Sequence, residues 1–156
     1  VSRALRQVSE KLEGTAENHR KLKLWLRLLT CTIKVENLIS TRLREQFSTT
    51  LPRFDVMAAL SRAEEDLTMG ELSKWLLVSN GNVTGVVNRL VKDGLVARRR
   101  AKDRRIQYVR LTPAGRRQFK SIAAAHEGWI NQMLEPLSDR DIGSLMQQLS
   151  KLKGVG

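Results

Sequence analysis

The sequence predicts a mainly α chain with a small two-stranded β wing. Three observations carry that expectation. Apolar residues recur at helical spacing over most of the chain. Proline, glycine and Ser/Thr signals cut this pattern into separate helices. One stretch, residues 95–111, changes to two short β-prone runs around a charged loop.

Residues 1–18 mix both signs of charge around Gly14 and read as a short arm or frayed helix. From His19 to Phe47 there is neither proline nor glycine, which predicts one long helix. It carries two apolar stripes, one of Leu22, Leu26, Leu29 and Ile33, the other of Leu24, Leu28, Cys31, Val35 and Ile39. A helix apolar on two sides is normally covered on both. Pro52 suits the first turn of a second helix reaching about Ala63, with Phe54, Met57, Ala58 and Leu60 turned inward.

Thr68-Met69-Gly70-Glu71 fits a capping box and starts a third helix carrying Leu72, Trp75 and Leu76. After a break at Val78-Ser79-Asn80-Gly81, a fourth helix over about 80–92 buries Val83, Val86, Val87 and Leu90, and Gly94 is placed to end it. Leu95–Arg99 and Ile106–Leu111 form the two strands, joined by the polar loop from Arg100 to Arg105. Thr112-Pro113 caps a fifth helix reaching Leu134 in spite of Gly128. Beyond Pro136, Ser138 caps a last helix with Leu145, Leu149 and Leu152 as its stripe. The three tryptophans, Trp25, Trp75 and Trp129, read as core or subunit-interface residues.

Charge narrows the partners. The 156 residues hold 28 Lys+Arg against 16 Asp+Glu, a formal net charge of +12. Between Arg89 and Arg117, eleven basic residues face only Asp93 and Asp103, so this segment alone carries net +9. Polyanions are the default partners of such a chain. The lone Cys31 excludes an internal disulfide framework and a cysteine-based zinc site, and two histidines exclude a histidine-rich metal site. No apolar run approaches the ~20 residues of a membrane span, and no signal-peptide core is present, so a cytoplasmic protein without membrane association is expected. No phosphate-cradling glycine loop, nucleophile elbow or metal-binding His pair appears, so neither an enzyme nor a cofactor is expected. The only acidic cluster, Glu64-Glu65-Asp66, sits before a helix cap.

Two short helices joined by a tight turn and followed by a basic-tipped hairpin make a winged helix-turn-helix. An α-helix fits the major groove, so polar residues on the outer face of the second helix reach base edges. Those residues are Ser79, Asn80, Asn82, Thr84, Asn88 and Arg89. Arg100, Lys102, Arg104 and Arg105 at the hairpin tip suit the adjacent minor groove or the phosphates, and Asp103 is expected to orient a neighbouring arginine. Gly85 leaves room for the duplex to approach closely. Double-stranded DNA is therefore the expected partner. Aromatic residues are only 4% of the chain, too few for a single-strand stacking surface.

Gly81–Leu90, Asp93-Gly94-Leu95-Val96-Ala97-Arg98, Asp103-Arg104-Arg105 and Leu111-Thr112-Pro113-Ala114-Gly115 together resemble the MarR family of bacterial transcriptional regulators. The Asp-Arg-Arg hairpin followed by Leu-Thr-x-x-Gly is the most specific part. The resemblance implies a homodimer on a pseudo-palindromic operator, usually repressing and released by a small ligand. It also implies three regions: an arm and long dimerisation helix over 1–47, the winged helix-turn-helix over 48–112, and C-terminal dimerisation helices over 113–156. The chain departs from the family at Gly85, where many members carry a larger residue. Leu51–Met57 and Ser79–Thr84 resemble a subgroup linked to aromatic-compound catabolism, some of whose members respond to aromatic acids or their CoA thioesters.

For such an effector, Trp25, Leu28, Leu29, Phe54 and Met57 offer apolar walls and Arg27 and Arg53 offer cations, at the junction of the helical region and the DNA-reading unit. Cys31 reads as a buried apolar residue, with redox sensing as the alternative. The other rival is a non-specific basic architectural protein, which differs from a specific reader in salt dependence and sequence discrimination.

Overall fold

The computed structural model describes residues 16–76, 80–100 and 107–152, leaving aside the side chains of residues 16–18, Asn80 and Arg100. Within these residues the order is α1 (Ala16–Phe47), α2 (Leu51–Arg62), β1 (Leu67–Thr68), α3 (Met69–Leu76), α4 (Asn80–Lys92), β2 (Val96–Arg100), β3 (Gln107–Leu111), α5 (Pro113–Leu134) and α6 (Asp139–Leu152). Of the arm proposed for residues 1–18, residues 1–15 lie outside the described residues, as does the tip of the hairpin, and residues 16–18 already belong to α1. The chain divides after Leu51 into two compact units.

The first unit is built on α1, whose 32 residues span ~48 Å at the helical rise. Leu22, Leu26, Leu29 and Ile33 are half-buried, as expected of a stripe. The second stripe differs from expectation, because Leu24 and Cys31 are exposed and only Ile39 is buried. Deep burial begins at the C-terminal end, with Ile39 and Leu43. Trp25, expected to be covered, is 56% exposed. The helix ends at Ser48, which takes a left-handed φ of 49° and donates its N–H to the Arg44 carbonyl.

The second unit contains the core. Val56, Met57, Ala59 and Leu60 of α2, Leu72 of α3, and Val83, Val87 and Leu90 of α4 cluster with Leu95, Val96, Val109 and Leu111. Six of the twelve residues of α2 are buried, so this helix is covered nearly all round rather than along one stripe. In the two-turn α3, Met69, Leu72 and Leu76 meet the core, leaving Trp75 exposed at the edge of that face, contrary to expectation. Each fully buried aliphatic side chain contributes ~1.5–3 kcal/mol.

Among the described residues the sheet has three strands, not two. It is antiparallel in the order β1-β3-β2, with Leu67 opposite Val109 and Thr68 opposite Tyr108. The β2–β3 register pairs Val96 with Leu111, Arg98 with Val109 and Arg100 with Gln107. Alternation therefore puts Val96, Arg98, Val109 and Leu111 on the core-facing side and Ala97, Arg99, Tyr108 and Arg110 on the other. On that outer side the Arg99 guanidinium lies 5.1 Å from the Tyr108 ring centroid, and its Nε is 3.4 Å from Asp66 Oδ2.

Local signals set the helix ends. Thr68 and Glu71 form the reciprocal box: the Thr68 N–H and hydroxyl each donate to Glu71 Oε2 at 2.8 Å, and the Glu71 N–H donates to Thr68 Oγ1. The Thr68 backbone N–H, then its hydroxyl, hold the Glu71 carboxyl below 4.5. Ser138 and Asp141 repeat the arrangement at α6. At Gly94, with φ 71°, the Leu95 N–H returns to the Leu90 carbonyl and the Gly94 N–H to that of Val91, the Schellman closure of a helix.

His126 of α5 stands among rings, 4.9 Å from Phe54 and 6.4 Å from Trp129 between centroids. Burial pushes its imidazole below 6.5. The folded state thus favours neutral His126, so its contribution is full above about 6.5 and is lost as pH falls through the lowered value. The thermal midpoint of the wild type is expected to fall between pH 7 and 5 more steeply than that of His126→Phe. Parallel pH profiles of the two proteins would show that His126 carries no such linkage.

Candidate nucleic-acid interface

Why α4 turns a polar face outward follows from its apolar spacing. Val83, Val87 and Leu90, at i, i+4 and i+7, are buried, and Val86 is half-buried beside them. The opposite side must then carry Gly81, Asn82, Thr84, Gly85, Asn88, Arg89 and Lys92, and all seven are exposed. Asn82, Thr84, Asn88 and Arg89 of the sequence-proposed set therefore share one solvent-facing surface. Asn80 begins the helix, but its side chain lies outside the described residues, as do Ser79, Lys102, Asp103, Arg104, Arg105 and the side chain of Arg100.

The sheet meets this helix through Arg98, which the sequence reading does not select. Its Nη2 donates to Asn88 Oδ1 at 2.5 Å. The signal is present in the alternation: two residues after buried Val96, Arg98 falls on the strand face that packs towards α4. A second brace comes from Arg53 of α2, whose Nη2 lies 2.7 Å from Asp93 Oδ2 just beyond the end of α4. An acid at a helix C-terminus opposes the helix dipole, and the arginine offsets it. The helix α4 is thereby held at its C-terminal half from two sides.

The wing is anchored at its base. Thr112 donates its N–H to the Leu95 carbonyl at 3.0 Å, and its hydroxyl donates to the Gly94 carbonyl at 2.7 Å. The same hydroxyl accepts from the Gly115 N–H at 3.0 Å, capping α5. One threonine therefore joins the end of α4, the start of β2 and the first turn of α5. That is the physical content of the Leu-Thr-x-x-Gly run.

Between α2, α3 and the N-terminal half of α4 lies a cavity of about 370 Å³, walled by Pro52, Asp55 and Val56 of α2, Leu76 of α3, and Asn82, Val83 and Val86 of α4. The residues proposed for an effector are placed otherwise. Met57 belongs to the core, Phe54 is buried against Phe119 with centroids 5.7 Å apart, and Arg53 is paired with Asp93. Trp25, Arg27, Leu28 and Leu29 stand on α1 in the other unit, with Trp25 and Arg27 exposed. Among the described residues, no group of three or more His, Cys, Asp or Glu side chains is placed to hold a metal, and no helix is long and apolar enough to cross a membrane.

Gly85 sits mid-helix with open space around the position of a Cβ. Gly85→Ala is expected to raise the stability of the free protein by ~0.5–1 kcal/mol. If the duplex approaches this turn closely, the same change weakens operator binding. Stabilisation with unaltered DNA affinity would show that the glycine is not needed for that approach.

A helix-turn-helix braced against a basic three-stranded wing defines a winged-helix protein. A sequence profile described as the MarR family matches residues 47–106. A MarR family transcriptional regulator from Silicibacter pomeroyi is 34% identical in sequence and superimposes with a TM-score of 0.76 over 89% of this chain and 96% of that one. The transcriptional activatory protein BadR of Rhodopseudomonas palustris is 29% identical over 134 residues, covering 83% of this chain and 76% of its own. A mutant MarR from E. coli complexed with operator DNA has the same fold, with a TM-score of 0.75 at 24% identity over 85% of this chain and 95% of that one. The chain belongs to the MarR family; it is a transcriptional regulator and not an enzyme.

Proposed function

We propose that the chain is a sequence-specific reader of double-stranded DNA that acts in the cytoplasm as a homodimeric repressor on a pseudo-palindromic operator, released by a small ligand. The observation that carries this reading is the outer face of α4, where Asn82, Thr84, Asn88 and Arg89 are exposed together beside a basic wing. Asparagine and arginine amides and guanidinium groups match the hydrogen-bonding edges of bases. Ser79, Asn80, Arg100, Lys102, Asp103, Arg104 and Arg105 complete the proposed contact surface, the last five from the wing. The fold shared with a MarR seen on operator DNA supports this assignment of roles.

Dimerisation answers the apolar surface of the helices outside the winged region. No residue of α6 is buried, and Leu145, Met146, Leu149 and Leu152 are all exposed large hydrophobics. Two recognition helices in such a dimer would sit ~34–36 Å apart to enter successive major grooves. Sedimentation of the free protein is expected to give a dimer. A monomer at micromolar concentration would contradict this part of the reading.

For the effector we favour the cavity beside α4 over the sequence-proposed walls, because three of those side chains are engaged elsewhere. A volume of about 370 Å³ with an apolar lining suits an aromatic acid, whereas a CoA thioester would place only its acyl end inside. An occupant touching Asn82 and Val86 acts on the recognition helix directly. Benzoate and hydroxybenzoates titrated into a labelled protein–duplex complex are expected to release DNA, and by linkage to bind more weakly to the complex than to the free protein. Val86→Trp, which fills the cavity, is expected to abolish release. Release that persists in that variant would move the effector elsewhere.

A further inference from the structure

Arg98 of the sheet and Asn88 of α4 are joined by a hydrogen bond whose direction bears on what Asn88 can contact. The guanidinium has donors only, so the atom of Asn88 that meets Arg98 Nη2 must be the carbonyl oxygen. The usual ambiguity of an amide's orientation is removed by its partner. With Oδ1 turned towards Arg98, the amide presents its Nδ2–H2 group to the other side. Both residues are exposed, so the remaining guanidinium N–H groups add further donors to the same hydrogen-bonded pair.

The consequence concerns specificity. Pairing with adenine requires an asparagine to accept from N6 and donate to N7 at once. In this arrangement one lone pair of Oδ1 is engaged by Arg98, and the cationic guanidinium stands where adenine's N6 amino group, itself a donor, would have to approach the other. We propose that Asn88 and Arg98 form a donor-only pair that recognises acceptor atoms of DNA, either the O6/N7 edge of a guanine or a backbone phosphate oxygen, and does not read adenine. Arg98 is a positioning residue for Asn88 as well as a cation. The inference rests on the outer face of α4 being the DNA-reading surface. It changes the expectation for Asn88, whereas Asn82, which lies away from this brace, stays the candidate for adenine.

The test uses the full chain and a duplex enriched by it from a random-sequence pool. Single positions of that duplex are replaced in turn by 7-deazaguanine, by a neutral methylphosphonate linkage, or by purine in place of adenine, which removes the N6 amino group. Affinity is compared for the wild type, Asn88→Ala, Arg98→Ala, Arg98→Lys and Asn82→Ala, with thermal unfolding as the check that each variant is folded. At one guanine or one phosphate the wild type is expected to weaken roughly tenfold. That effect should vanish in Asn88→Ala and Arg98→Ala and persist in Arg98→Lys, which keeps a donor and the charge. A deazaguanine-sensitive position identifies a base edge, and a methylphosphonate-sensitive position identifies the backbone; either supports the donor-only pair.

A purine-for-adenine loss of affinity that disappears in Asn88→Ala overturns the proposal. So does a complete absence of Asn88-dependent effects while Asn82→Ala still relaxes discrimination, and that outcome leaves the DNA-reading face of α4 intact. If none of the variants changes binding to any duplex, the donor-only pair and the reading of α4 fall together.

Discussion

Gly115→Ala is expected to destabilise the protein by ~3 kcal/mol or more, enough to remove a large part of a typical domain's 5–15 kcal/mol. A Cβ on Gly115 would lie 2.0 Å from the Leu95 carbonyl oxygen, 3.0 Å from its carbonyl carbon and 3.2 Å from Leu111 Cδ2. Two of these three atoms are backbone, and the Leu95 oxygen already accepts from the Thr112 N–H. Relief would require moving the joint at which the end of α4, the base of the wing and the first turn of α5 meet. The damage should therefore spread beyond stability to the setting of the recognition helix. Urea unfolding of Gly115→Ala beside Gly128→Ala provides the comparison, because Gly128 lies mid-helix with open space around it and its substitution should stabilise. Equal midpoints for the two variants would contradict the close approach at Gly115.

The second large effect concerns DNA. Replacing Arg105 by alanine is expected to lower affinity for every duplex, by roughly tenfold per half-site, and to reduce the magnitude of the salt slope by about one for each phosphate that is no longer neutralised. A dimer carries the change in both half-sites, so affinity for a full operator should fall by roughly a hundredfold. Asn82→Ala should behave differently, giving up ~1–3 kcal/mol of discrimination at one base pair with little change on unrelated sequences. Competition binding against a panel of single-base operator variants separates the two patterns. A uniform weakening for Asn82→Ala would remove it from the base-reading set.

The helix boundaries are legible because capping is local. Thr68 with Glu71, Ser138 with Asp141, Thr112 before Pro113, and Gly94 after Lys92 each act within about five residues, so the sequence shows both partners side by side. The inward face of α4 is legible for the same reason, from the spacing of Val83, Val87 and Leu90. β1 is not, since two residues have no periodicity and their pairing with β3 joins segments about forty residues apart. Exposure of Leu24, Trp25, Cys31 and Trp75 is also hidden. Periodicity says which residues share a face, but not how much chain is available to cover it.

The candidate site divides along the same line. The exposed polar set on α4 follows from helical spacing, whereas the braces that hold it are long-range. Arg53 meets Asp93 across forty residues, and Arg98 meets Asn88 only because the sheet packs on α4. For the effector, the sequence indicates residue types suited to a pocket but not their prior engagements. Phe54 and Met57 are apolar because the core needs them.

The outer face of α4 and the wing are together expected to read a particular DNA sequence. Fluorescence anisotropy with the duplex upstream of the protein's own gene, beside a scrambled duplex and a pool-selected duplex, across a salt series, tests it most directly. At least one natural or selected duplex is expected to bind about 10³-fold or more tightly than the scrambled one, with the preference surviving as salt weakens both. Equal affinities with the same steep salt slope, together with no sequence enriched from the pool, would contradict it and leave a basic protein bound to DNA by charge alone.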